Sequence, residues 1–150
     1  MAGCGNVAQE NHMLEWKPDY ATGVPEIDTQ HKVLFDNINR LGKLLDKEEL
    51  EQTEADYLLD FLKQYVVQHF QYEENCMARF RCPNHAKNRE QHVQLQDALA
   101  DFSVDYAAIG LSRELLQRLH TTMVWWISSH ILKVDIGLKG CVTAKKSAGR

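Results

Sequence analysis

The sequence predicts an all-α protein, an up-down-up-down four-helix bundle entered through an ordered N-terminal arm. Three observations predict it. Apolar residues recur at three-and-four spacing in four separate stretches, the period of a helix that buries one face. Short polar links join those stretches, which favours antiparallel neighbours. Nowhere do apolar and polar residues alternate as they do in a half-buried strand.

Each element has its own justification. Residues 1–13 hold Gly, Ala, Asn and Gln without a period and are expected to be flexible. From Leu14 to Ile27 two prolines, a glycine and two aromatics argue for an ordered arm, with Trp16 and Tyr20 free to pack on the domain. Asp28 is a good N-cap for a first helix over about residues 29–46, carrying His31, Leu34, Phe35, Ile38, Leu41 and Leu45 on one stripe. Thr53 with Asp56 resembles a capping box opening a second helix, about 54–80, which Pro83 ends. A third begins near Asn84 and aligns Asn88, His92, Leu95, Leu99 and Phe102. Gly110 and Ser112 mark the next break and cap. The fourth, about 113–137, buries Leu116, Leu119, Met123, Ile127, His130 and Val134. Residues 14–138 thus form the domain, and 139–150 read as a flexible basic tail or linker.

With 150 residues, 44% of them hydrophobic, the chain has material for one domain with a sizeable core. A net charge of -4 gives no nucleic-acid footprint, which needs a basic stripe. No apolar run approaches a membrane span, and the N-terminus lacks a signal-peptide layout. Cys4, Cys76, Cys82 and Cys141 make no C-x-x-C pair. Cys76 and Cys82 are near enough in sequence to raise a disulfide, but small apolar thiols in a reducing cytoplasm are the expectation.

The polar residues on apolar stripes carry the chemistry. They are His31 on the first helix, His69 and Glu73 on the second, His92 on the third, and His130 with Asp135 on the fourth. His69 and Glu73, four apart, share a helix face. A lone histidine on a core stripe is usually structural, and a buried carboxylate without a partner is costly. A histidine from each of four facing helices has no such bland account. In a bundle they can converge on one point, where imidazole and carboxylate suit iron, zinc or copper, and two carboxylates suit the bridging of two metals.

These residues lie in motifs that resemble the bacteriohemerythrins of the hemerythrin family: W-x-x-x-Y-x-T-G-V-x-x-I-D-T-Q-H ending at His31, H-F-x-x-E-E from His69 to Glu74, and W-x-x-x-H-I-x-K-x-D from Trp126 to Asp135. The resemblance covers nearly all of residues 14–138. It implies a hemerythrin-like bundle holding two iron ions, bridged by Glu73, Asp135 and an oxo or hydroxo group. His31 and His69 would ligate the iron that takes dioxygen, and His92 and His130 the other. Trp126 would wall the site. One ligand departs from the pattern: the family's H-x-x-x-H on the third helix has Asn88 in place of its first histidine. His85 lies seven residues before His92, about 10 Å of rise where four residues give about 6 Å, so it is expected to be an exposed first-turn residue. Glu74 points about 100° away from Glu73, toward solvent or a salt bridge. His120 is expected at the surface or an edge.

An open second iron points to a non-enzymatic oxygen- or redox-sensing module that oxidises quickly, with dioxygen as its ligand. It would act in the cytoplasm, free or beside a fused or interacting signalling domain. The alternatives are a reversible carrier, a di-iron enzyme reducing peroxide or nitric oxide, and an iron-handling bundle. The E-x-x-H pairs of ferritin-like proteins are absent. Manganese or zinc fits the same donors.

Overall fold

The chain enters its first helix through a proline. Pro25 stands in the first turn of α1 (Pro25–Asp46), where its missing N–H costs no hydrogen bond. The computed structural model describes residues 13–148, and side chains as far as residue 144. The expectations for residues 1–12, Cys4 among them, lie outside the described residues. Asp28 is not the cap expected of it, because α1 starts before it. Its carboxylate instead accepts hydrogen bonds from the Thr22 N–H and hydroxyl at 2.8 and 2.9 Å, fixing the arm's entry.

α2 (Gln52–Arg79) also starts early, so Thr53 and Asp56 form no capping box. Asp56 accepts from Gln52 Nε2 and from the Tyr106 hydroxyl. α3 (His85–Ile109) stops at Gly110, whose φ of 82° suits glycine. Ser112 then caps α4 (Arg113–His130), accepting from the Leu115 N–H at 3.3 Å. A π-helical turn, Ile131–Asp135, follows without a break.

α1 and α3 each pack on both α2 and α4, closing a ring of antiparallel neighbours. Their apolar stripes form one core that includes Leu34, Ile38, Leu41, Leu58, Leu62 and Leu116. Burying each such side chain stabilises the fold by roughly 1.5–3 kcal/mol. A second cluster of Ile27, Met77, Cys82, Leu138 and Val142 lies toward one end. Ile27 and Met77 are one helical turn beyond His31 and Glu73, so the polar stripe is sealed between two apolar layers. The arm packs on α1: Asn39 exchanges hydrogen bonds with the Leu14 backbone at 2.7 and 2.8 Å, and Tyr20 meets Trp16 and Phe35 edge-on.

The C-terminal stretch differs from expectation. A helix, α5 (Gly137–Ala148), occupies most of the span expected as a tail or linker. Leu138, Cys141 and Val142 form a short stripe that gives it something to bury. α5 also revises the cysteine reading. Cys82 pairs with Cys141 in a disulfide, their Cα atoms 5.6 Å apart, while Cys76 is free. Among the described residues no helix is long and apolar enough to cross a membrane.

Candidate metal centre

Four helices and the π turn deliver one donor set to the buried middle of the bundle. His31, His69, Glu73, His92, His130 and Asp135 are at most 3% exposed. They fall into two groups, His31 with His69 and His92 with His130, and Glu73 and Asp135 belong to both. Within each group the donor atoms lie within 4.8 Å of one another. Glu73 Oε2 faces His31 Nε2 at 3.3 Å and His69 Nε2 at 3.2 Å, and its Oε1 faces His92 Nε2 at 3.1 Å. Asp135 Oδ2 is 3.3 Å from His31 Nε2, and Oδ1 is 2.9 Å from His130 Nε2. Each carboxylate therefore offers one oxygen to each group, the arrangement that bridges two cations.

The π turn explains how Asp135 matches Glu73. Glu73 follows His69 by four residues, so an α-helix aligns them. Asp135 follows His130 by five, which in an α-helix would leave it about 140° off the face. The wider π turn, closed by the Ile136 N–H donating to Ile131 O at 3.2 Å, takes up the extra residue.

A second layer fixes the rings. His69 Nδ1 donates to Gln30 Oε1 at 2.7 Å, His130 Nδ1 to Gln91 Oε1 at 2.7 Å, and His92 Nδ1 to Glu74 Oε1 at 3.1 Å. A proton held on Nδ1 leaves the Nε2 lone pair aimed inward, as a metal ligand requires. Phe70 stacks on His92 with centroids 3.7 Å apart, and Trp126 on His130 at 4.2 Å, so two aromatics wall one side.

Electrostatics show how well these donors fit a cation. Burial alone would lower His31 and His130, but Asp135 and Glu73 outweigh it and raise both to about 9. Burial dominates at His69 and lowers it despite Glu73. Burial would raise Glu73, yet the surrounding imidazoles, His130 first, hold it well below the usual carboxylate range. Neither Asp135 oxygen nor Glu73 Oε1 accepts an aligned hydrogen bond, although imidazole nitrogens lie close by. Buried carboxylate oxygens at contact distance from nitrogens, without hydrogen-bond alignment, suit atoms that share a cation. Imidazole with carboxylate suits a first-row transition metal.

The comparison with known families decides the identity. The family described as the hemerythrin HHE cation-binding domain matches residues 22–140, a span that takes in all six donors. The chain belongs to the hemerythrin family. It is 30% identical to a bacteriohemerythrin of Methylococcus capsulatus, over 88% of this chain and 98% of that one. It is 29% identical to a Clostridium acetobutylicum bacteriohemerythrin over 82% and 96%, and 30% identical to a hemerythrin-like protein of Naegleria gruberi over 85% and 92%. A crystal structure of a hemerythrin point mutant superposes with a TM-score of 0.72 at 27% identity, covering 87% of this chain and 98% of that one.

Against this hemerythrin frame the remaining polar residues find their places. Asn88 is fully buried one turn before His92, and neither amide atom has a hydrogen-bond partner. His85 opens α3, half-buried, and belongs to neither donor group. Glu74 is turned back onto His92. His120 is not at the surface: it is 3% exposed, and a Cβ added at Gly42 would lie 2.9 Å from its Nε2. Ten residues of helix turn it off the donor face toward α1, where a glycine leaves room for the ring, and burial lowers its pKa.

Gln30, Gln91 and Phe70 escaped the sequence reading. A signal for the glutamines exists: Q-H-x-x-L-x-D occurs at Gln30 to Asp36 and again at Gln91 to Asp97. Each glutamine serves the histidine of the following helix and not its own neighbour.

Proposed function

We propose that this hemerythrin-family chain holds two iron ions and reacts with dioxygen as an oxygen- or redox-sensing module, oxidising quickly in place of holding the gas. Bound iron supplies the affinity for dioxygen and the electrons that reduce it. His31 and His69 would hold one ion, His92 and His130 the other, and Glu73 and Asp135 would bridge them. Gln30, Gln91 and Glu74 keep the imidazole lone pairs directed inward. Phe70 and Trp126 restrict water beside His92 and His130.

The observation that carries the reading is Asn88. A reversible carrier needs one metal closed by protein ligands and one opening for the gas. Here each group counts two imidazoles and two carboxylate oxygens, so neither half is closed by a third imidazole. With two open positions in place of one, oxidant meets either ion, which favours one-way oxidation over storage.

The test is anaerobic loading with iron(II), a metal count, and a visible spectrum followed from the admission of air. Two irons per chain and rapid passage to a ferric spectrum are expected, with Asn88→His slowing that passage at the same metal content. Occupancy of one iron or none overturns the di-iron reading. An unchanged rate in Asn88→His overturns the role given to the open position, and multiple turnover with a reductant makes the chain an enzyme instead.

A further inference from the structure

A cavity of about 790 Å³ lies between the α2–α3 link and α5, and none of the six donors lines it. Arg79, Arg81 and Asn84 line one side, and Gly137, Gly140 and Cys141 the other. Among the described residues none of those lining it is acidic, although the whole chain carries a net charge of -4. Arg79 and Arg81 bring two guanidinium groups to this recess. The glycines add no side chain that would screen Cys141. Of the two bonded cysteines, Cys141 is half-buried and lines the cavity, whereas Cys82 is only 6% exposed and does not. The cavity is thus lined by the residue at one end of the disulfide and not by the residue at the other.

We propose that this cavity binds a small anionic thiol, which exchanges with the Cys82–Cys141 disulfide at Cys141 Sγ. The thiolate attacks Cys141 Sγ, the Cys82–Cys141 bond breaks, and its electron pair leaves on Cys82 as a thiolate. A mixed disulfide then stands on Cys141. A second thiolate attacks the outer sulfur of that mixed disulfide, releasing the small disulfide and leaving Cys141 as a thiolate. Two small thiols are oxidised and one protein disulfide is reduced; protons equilibrate with solvent. The small disulfide runs the sequence in reverse. Arginine at the rim attracts the carboxylates of such a thiol and stabilises the incoming thiolate. Exchange unties α5, which follows the turn carrying Asp135, so a second redox input enters beside the metal centre.

The test compares two thiols on the full-length chain: glutathione, which carries carboxylates, and 2-mercaptoethanol, which does not. Reduction is followed by alkylation and peptide mass at fixed pH. The ratio of glutathione to 2-mercaptoethanol rate constants is expected to fall on the order of tenfold in Arg79→Ala/Arg81→Gly, and to fall likewise in high salt. In Cys82→Ser, glutathione disulfide is expected to form its adduct on Cys141, whereas Cys141→Ser leaves Cys82 unmodified. A ratio indifferent to both arginines and salt overturns the anion site. An adduct that forms first on Cys82, or reduction by a protein dithiol with neither small thiol reacting, overturns the attack at Cys141. The rate comparison uses the intact disulfide, so it stands even where a cysteine variant fails to fold.

Discussion

Asn88 places an amide in the core with nothing to bond either end. An unpaired buried polar group costs about 1–3 kcal/mol, and an apolar group of similar shape avoids that cost. Asn88→Leu is therefore expected to stabilise the metal-free chain by about 1–2 kcal/mol. Urea unfolding checks it, as a higher midpoint at an unchanged slope; a lower midpoint would mean that the amide contributes a stabilising contact after all. The same side chain shows what was legible at this scale. The six donors stood out together, because a histidine from each of four apolar stripes, with two carboxylates beside them, has no structural account that a single buried histidine would have. Asn88 stood out only against the spacing of a family. His120 was misplaced because its burial depends on a glycine in another helix, and Gln30 and Gln91 were missed because their partners sit across a helix boundary.

Among the elements, the end of α2 is held by an unusual residue. The Cys82 N–H donates to Met77 O at 2.9 Å and the Arg81 N–H to Ala78 O at 3.1 Å, the paired bonds of a Schellman motif. The residue in its left-handed position is Arg81, with φ 53°, where glycine avoids a strain of roughly 1–2 kcal/mol. Arg81→Gly is thus expected to raise thermal stability by about 1 kcal/mol, less what glycine loses in unfolded-state entropy. A lowered melting temperature would show that the arginine side chain outweighs its backbone cost. The same arginine lines the cavity beside α5. The four long helices were legible because each sustains a three-and-four period over many turns. α5 was not, since its stripe is three residues among lysines and glycines. Nor was the π turn, which sequence shows only as a spacing of five where the partner helix has four.

At the scale of the molecule, two helical hairpins supply matching halves of one site, and proton occupancy ties that site to the stability of the bundle. In the metal-free chain His31 and His130 are raised to about 9 by Asp135 and Glu73. A raised histidine contributes stability that is full below its unfolded value near 6.5 and disappears as pH climbs through the folded value. Glu73 behaves oppositely: its depressed value contributes above about 4.5 and is lost on further acidification. The metal-free chain should therefore be most stable between these ranges and weaken from pH 6.5 to beyond 9, by at most roughly 1.4 kcal/mol per pH unit per histidine. Metal loading removes that slope, because a cation takes the place of the protons on His31 and His130 and binds more tightly as pH rises. Melting temperatures measured with and without zinc, which has no redox chemistry of its own, should separate progressively across that window. Proton release on loading should fall toward zero above pH 9 as the two imidazoles arrive already deprotonated. Parallel melting curves, or a proton release that does not change with pH, would mean that these histidines do not exchange protons for metal.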